Sequence, residues 1–306
     1  MMTNGTSSPR GPQTTVVVPV WDDYVSERLQ DALASIRSQD LPARLVVVDN
    51  ASEIPLPPLP GAWVLRAPRR LSLGAARNLG LQRVGTPYVV FWDADDVMLE
   101  GTLAFLEAAI EADPNLVAYS MAVIEDPSRE RHRWPRRWLG RLVAAPRALA
   151  VLNSIWSLYP TTGATIMHTE AVRAVGGFSN ADSGDDWCLG VSLLYQGRAG
   201  WSERPGRLYR ANASSNRARL MTPANLTRHA ASVRERIEAD PAVPRWAKRS
   251  LPAIYLAQHA AIGAHMALER ARPLAEEERY RRARAAIGSA SLALARARET
   301  IAKRRG

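Results

Sequence analysis

The chain has 306 residues, enough for one large α/β domain with an appendage or for two modest domains. It carries 40 Lys and Arg against 30 Asp and Glu, a formal charge of +10. That balance favours an anionic partner, with a nucleotide-linked substrate, an acidic lipid surface and nucleic acid all open. The single cysteine, Cys188, excludes an internal disulfide and fits a reducing cytoplasm.

Residues 1–13 are polar and rich in Gly, Ser, Thr and Pro, and read as a disordered leader. They lack the basic start and apolar core of a signal peptide, and no later apolar run approaches the ~20 residues needed to span a bilayer, so a soluble or membrane-peripheral protein is expected. "TTVVVPVW" reads as the first strand. Leu29, Leu33 and Ile36 then recur at helical spacing before the β-branched run "RLVVVDN". "EIPLPPLPG" is a loop, "AWVLRA" a strand, "SLGAARNLGLQRV" a helix and "PYVVFW" a further strand. "LEGTLAFLEAAIEAD" gives a helix stopped by Pro114, and "NLVAYSMAVI" a strand. Residues 129–141, "RERHRWPRRWLGR", are rich in Arg and Trp; "GATIMHTEAVRAVGGF" reads as strand, helix and turn; and "SGDDWCLGVSLLYQG" as a turn entering a helix. From about residue 222 Ala, Arg and Glu dominate, and prolines divide helical segments. Apolar strands alternating with helices predict a mostly parallel sheet covered on both faces, over residues 14–222, followed by an α-helical extension over 223–306.

In such sheets ligands bind beyond the carboxyl ends of the strands. The residues there are Pro19 to Asp23 after the first strand, Asp49 to Ser52 after the second, and Asp93, Asp95 and Asp96 after "VVFW". Three carboxylates in four residues repel one another, and a hard cation such as Mg²⁺ or Mn²⁺ removes that repulsion while substrate phosphates and waters complete its shell. An Asp-rich turn also caps helices, so the cluster alone leaves both readings open. His132, His168, His229, His259 and His265 have no zinc-type spacing and read as structural or surface residues.

Six segments, "TTVVVPVWDD", "LVVVDNAS", "LGAARNLGL", "YVVFWDADD", "GATIMHTEAVRAVGGF" and "SGDDWCLGVSLLYQG", stand in the order and spacing of the family 2 inverting glycosyltransferases of GT-A fold, which this chain resembles over roughly residues 14–215. The resemblance implies transfer of a sugar from a nucleotide-diphosphate donor to an acceptor hydroxyl. It places Pro19, Trp21 and Asp49 at the nucleotide. Asn50 stands where many members have a second acidic residue, which leaves the base open. Arg77 and Asn78 match an Arg-Asn pair near the base and diphosphate, with Gly74 permitting close backbone approach. Asp93 matches a contact to ribose or donor sugar, Asp95 the metal ligand of the DxD motif, and Asp96 a support or helix cap. Asp185 and Asp186 match an acidic pair beside the acceptor, with Asp186 as catalytic base and Trp187 either stacking on a sugar or in the core. Arg210 and Ser215 are within expected reach of the diphosphate, and Asn212 replaces a His that often assists the metal.

Two other readings use parts of the same pattern. A nucleotidyltransferase also needs a strand-end carboxylate pair and Mg²⁺ but leaves "GGF…DDW" without a task. Nucleic-acid binding rests on the Arg/Trp stretch alone. The acceptor is a glycan, a lipid-linked molecule or a small molecule. The basic C-terminal helices carry a thin, Ala-rich apolar stripe, which suits packing or homodimerisation better than a peripheral membrane contact.

Overall fold

The computed structural model describes residues 11–125, 138–210 and 222–268. The described residues up to Gln258 form one compact unit, and a second begins at His259. In the first, strands β1 (Thr14–Val20), β2 (Ala43–Asp49), β3 (Ala62–Arg66), β4 (Tyr88–Phe91), β5 (Val97–Met98), β6 (Leu116–Ile124), β7 (Thr165–His168) and β8 (Arg198–Leu208) form one sheet in the order β3-β2-β1-β4-β7-β6-β8-β5. Pairs β1–β2, β1–β4, β2–β3 and β6–β8 are parallel, whereas β7 and β5 run antiparallel to their neighbours. The sheet is therefore mixed but mostly parallel, as its near-continuous apolar strands predict.

Every residue of β1 is buried, and its alternation divides the core. Val16, Val18 and Val20 face Leu29, Leu33 and Ile36 of α1 (Glu27–Arg37) and Leu103, Leu106 and Ile110 of α3 (Thr102–Glu111). Val17 faces the other layer, built from α2 (Leu73–Leu81), α5 (Pro146–Ile155), α6 (Thr169–Ala174) and α7 (Asp185–Gln196). Between them, α4 (Trp138–Val143) precedes α5, and both lie where no element was read from sequence. Helix α8 (Pro223–Ala239) buries Leu226, Ala230, Val233 and Ile237, and α9 (Arg245–Arg249) follows. Residues 251–258 are again helical, and Gln258, fully buried, donates from Nε2 to the Ser154 carbonyl at 2.8 Å. Residues 259–268 of the second unit are helical too. No described helix is long and apolar enough to cross a membrane.

The sheet also positions the site. Strand order reverses at β1, whose neighbours are β2 and β4. The β1–β4 pairing ends at Val17 and Phe91, so the chain diverges at Pro19 and Trp92 and opens a crevice. Pro19 is tolerated inside a central strand because its missing N–H faces the side where β4 has already ended.

Candidate active site

The crevice opens into a cavity of about 460 Å³ bounded by Pro19, Trp21, Arg77, Asp93, Asp95, Asp185, Asp186 and Arg207. Trp92, fully buried, donates its indole N–H to the Asp96 carbonyl at 3.0 Å and so curls the acidic loop back onto the strand end. The three carboxylates then take different surroundings. Asp93 accepts from Arg77 Nη2 at 2.9 Å and from Arg207 Nη2 at 2.5 Å. Burial opposes its ionisation, but Arg207 and Arg77 outweigh burial and hold the carboxyl below the usual range. Asp96 has no solvent exposure; it pairs with Arg207 and accepts the Arg210 backbone N–H at 2.8 Å. Asp95 has no side-chain partner among the described residues, and burial together with Asp96 and Asp93 pushes it up to about 6.

Across the cavity, Arg77 of α2 also donates to Asp185 Oδ2 at 2.7 Å, joining the two acidic segments through one buried guanidinium. Asp185 opens α7, and Asp186 beside it is half-buried with its Oδ1 accepting the Trp187 N–H at 2.8 Å. Thr161 donates to the Asp186 carbonyl at 2.8 Å. Trp187 is core with one edge on the cavity: it is buried, and its indole N–H donates to the Asn153 carbonyl. Burial pushes Asp185 up to about 6 against the pull of Arg77, with Asp186 adding to the rise. An acid whose folded value lies above its unfolded one stabilises the fold below the unfolded value, and that contribution disappears as pH rises through the folded value. Asp185→Asn should therefore flatten the fall in melting temperature from about pH 4 to about pH 6 relative to the parent chain. Parallel slopes in the two proteins would count against a raised Asp185.

The remaining sequence-selected residues are placed as follows. Asp49 accepts the Ser52 N–H at 2.9 Å and pairs with Arg66. Asn50 brackets Leu71, accepting its N–H at 2.8 Å and donating to its carbonyl at 2.9 Å, so its amide fastens the 66–72 connection. Asn78 brackets Phe178 in the same way, both bonds at 2.9 Å. Trp21 lies under the Arg70 guanidinium at 4.5 Å and meets Tyr24 edge-on. Gly74 serves chain-to-chain approach: a Cβ there would come within 1.9 Å of the Ser179 carbonyl oxygen. The Arg210 guanidinium is turned to Asp31 at 2.7 Å and to the Arg28 and Asp95 carbonyls, tying the acidic loop to α1. Asn212, Ser215 and most of the Arg/Trp stretch lie outside the described residues, as do residues 1–10 of the leader and the basic end of the C-terminal extension.

Arg207, Tyr24 and His229 are among the cavity residues that the sequence does not single out for the site. Arg207 of β8 is the shared partner of Asp93 and Asp96. Tyr24 borders the cavity beside Asp95, with burial and then Asp95 raising its phenol above the ordinary value. His229 reaches the cavity from α8 and is hydrogen-bonded to Ser183 at 2.5 Å. Only Arg207 has a local signal, as an Arg two residues before the aromatic of "RLYR" at a strand end.

Charge decides what the cavity can hold. Among its described residues Asp93, Asp95, Asp182, Asp185, Asp186 and Glu125 face only two guanidinium groups, those of Arg77 and Arg207. No three His, Cys, Asp or Glu side chains among the described residues converge into a ready-made metal cage. The excess of carboxylates would suit a divalent cation, to which Asp95 could offer an oxygen ligand.

Residues 15–167, half of the chain, match the model of glycosyl transferase family 2. The chain belongs to that family. No curated protein sequence matches it. Among solved structures, S. aureus TarS 1-349 aligns with a TM-score of 0.60 at 16% identity, covering 81% of this chain and 72% of that one. The same protein in complex with UDP-GlcNAc gives 0.63 at 16% identity, over 81% and 73%. The mannosyltransferase PcManGT from Pyrobaculum calidifontis, in complex with GDP-Man and Mn²⁺, gives 0.56 at 22% identity, over 87% and 81%. These likenesses show a shared GT-A fold. This family 2 glycosyltransferase thus has its carboxylates at the strand ends where the sheet's switch point opens.

Proposed function

We propose that this glycosyltransferase moves a sugar from a nucleotide-diphosphate donor to an acceptor hydroxyl with inversion, using Asp186 as base and a divalent cation, Mg²⁺ or Mn²⁺. The observation that carries the reading is the meeting, in one cavity, of the clamped Asp93, the Asp95 carboxylate, which has no side-chain partner among the described residues, and the Asp185–Asp186 pair. The TarS and PcManGT complexes, with UDP-GlcNAc and with GDP-Man and Mn²⁺, support the donor class.

Pro19 and Trp21 border the cavity and, with Asp49 buried behind them in its pairing with Arg66, are assigned to the nucleotide end. Arg77 and Arg207 hold Asp93 ionised and aimed at the donor, while Arg210 braces the Asp95–Asp96 turn from behind. Asp95 would hold the cation, which when bound supplies positive charge against the departing diphosphate. As the acceptor hydroxyl attacks the anomeric carbon, Asp186 takes its proton, and the nucleoside diphosphate leaves from the opposite face. One displacement inverts the anomeric centre. The acceptor hydroxyl belongs to a glycan, a lipid-linked molecule or a small molecule. In this reading the C-terminal extension of a cytoplasmic protein serves packing or homodimerisation rather than membrane binding, so sedimentation with anionic liposomes at physiological salt should leave the protein in the supernatant.

A thermal-shift screen of UDP, dTDP and GDP sugars with and without Mn²⁺ tests the reading. The true donor with metal, at about 100 times its Kd, should stabilise the fold by about 2.7 kcal/mol, and no shift with any of them would defeat it. Asp95→Asn should remove the metal-dependent part of that shift while leaving the melting temperature of the free protein unchanged or higher, because it deletes one of three mutually repelling carboxylates.

A further inference from the structure

The segment that delivers Asp185 and Asp186, residues 179–184, reads "SNADSG" and has no regular structure or apolar anchor of its own. Its geometry is imposed residue by residue from two sides. The amino end of α2 holds the first four: Ser179 lies against Gly74, Ser72 donates to Asn180 Oδ1 at 2.5 Å, Gly74 N–H to the Ala181 carbonyl at 3.0 Å, and Leu73 N–H to Asp182 Oδ1 at 3.1 Å. The last two are held by one side chain from elsewhere. His229 Nε2 is 2.5 Å from Ser183 Oγ, and the imidazole lies so close over Gly184 that a Cβ there would meet it at 2.8 Å. Gly184 sits at φ +72, the left-handed turn that starts α7 and sets the direction in which Asp186 leaves the backbone. His229 belongs to α8, beyond the residues that match the family model.

We propose that His229 is a positioning residue for the transfer reaction: by fixing Ser183 and Gly184 it sets the direction in which Asp186 presents its carboxylate to the acceptor hydroxyl. The inference rests on the reading of Asp186 as base. It assigns to α8 a task in the site besides packing, since Leu226, one turn earlier on the same face, also borders the cavity. His229 stands 43 positions from Asp186 in sequence, so a tertiary contact, to Ser183 three residues before the base, and not local propensity, links the two.

The test uses the full chain and its His229→Ala, His229→Gln and Ser183→Ala variants, with UDP-N-acetylglucosamine or GDP-mannose and Mn²⁺, following nucleotide released with water as acceptor. His229→Ala should lower kcat on the order of tenfold to a hundredfold, as expected for a small misplacement of a reacting group, with KM for the donor little changed. His229→Gln, whose amide can still reach the Ser183 hydroxyl, should recover most of the loss, and the Ser183→Ala and His229→Ala effects should not add. Unchanged kcat, an equal change in KM, or a Gln variant no better than Ala would overturn the proposal. Hydrogen exchange gives a readout that needs no turnover: amides 183–187 should exchange faster in His229→Ala, with protection restored in His229→Gln. Unchanged protection there overturns the proposal as well. A parent chain that releases no nucleotide from either sugar counts against the functional reading, whereas the exchange pattern decides the positioning role by itself.

Discussion

Asp186→Asn should cut sugar transfer by about 10² to 10⁴, the usual contribution of a positioned general base, while nucleotide affinity stays nearly unchanged. The amide has the shape of the carboxylate and can still accept the Trp187 N–H, so the start of α7 keeps its geometry. What is lost is the capacity to take a proton. In the proposed mechanism the donor side is built from other residues, Asp93 and Asp95 with Arg77 and Arg207, and should not register the change. Transfer with a cognate acceptor measured beside nucleotide titration separates the two. A variant that still transfers at the parent rate removes Asp186 from the role of base.

The largest structural effect is expected from Arg207→Met. The Arg207 guanidinium is almost wholly buried and neutralises Asp93 and fully buried Asp96 together. Methionine keeps much of the volume but leaves both carboxylates without that charge, and breaking a buried pair from one side costs about 3–5 kcal/mol. For a domain of this size that lowers the melting temperature by roughly 10 °C, and nucleotide binding should weaken because the cavity becomes more negative. Asp96→Asn in the same chain should restore part of the stability, since the stranded charge is then absent. A melting temperature within about two degrees of the parent would mean that Asp96 is carried neutral, and the clamp would have to be redrawn.

Much of the catalytic half was legible in sequence because its signals are local. "TTVVVPVW", "RLVVVDN" and "YVVFW" announce buried strands by composition alone, and the carboxylates that follow them mark the ligand edge of the sheet. The partners of those carboxylates are not local. Arg77 meets Asp185 across 108 positions of sequence and Arg207 meets Asp93 across 114. Asn50 and Asn78 illustrate the same limit: the residue type allows ligand contact, yet in the fold each amide is taken up by the backbone of a neighbouring segment, at Leu71 and at Phe178. The spacing of His229 has no metal-binding pattern, which makes it look structural or surface, and nothing in the sequence around it says that its neighbour in space is Ser183.

Arg207 was hidden for a further reason. Pro205 and Gly206 carry the chemistry of a turn, but both lie inside β8. Against β6, Met121 pairs with Ser202, Ala122 with Pro205 and Val123 with Arg207, so Glu203, Arg204 and Gly206 are extra residues that bulge the strand. On the other side Met98 pairs with Arg207 and Val97 with Leu208, directly after the acidic loop.

That register makes the exposed bulge a counting device. Strand faces alternate with every residue, so removing or inserting a single residue between Ser202 and Arg207 would rotate the guanidinium to the opposite side of the sheet. Glu203 and Arg204 face solvent, where substitutions are ordinarily absorbed without consequence. Changes of side chain there should be tolerated and changes of length should not. In libraries of shuffled or randomly deleted genes, surviving members would keep the spacing of this stretch even where its composition drifts.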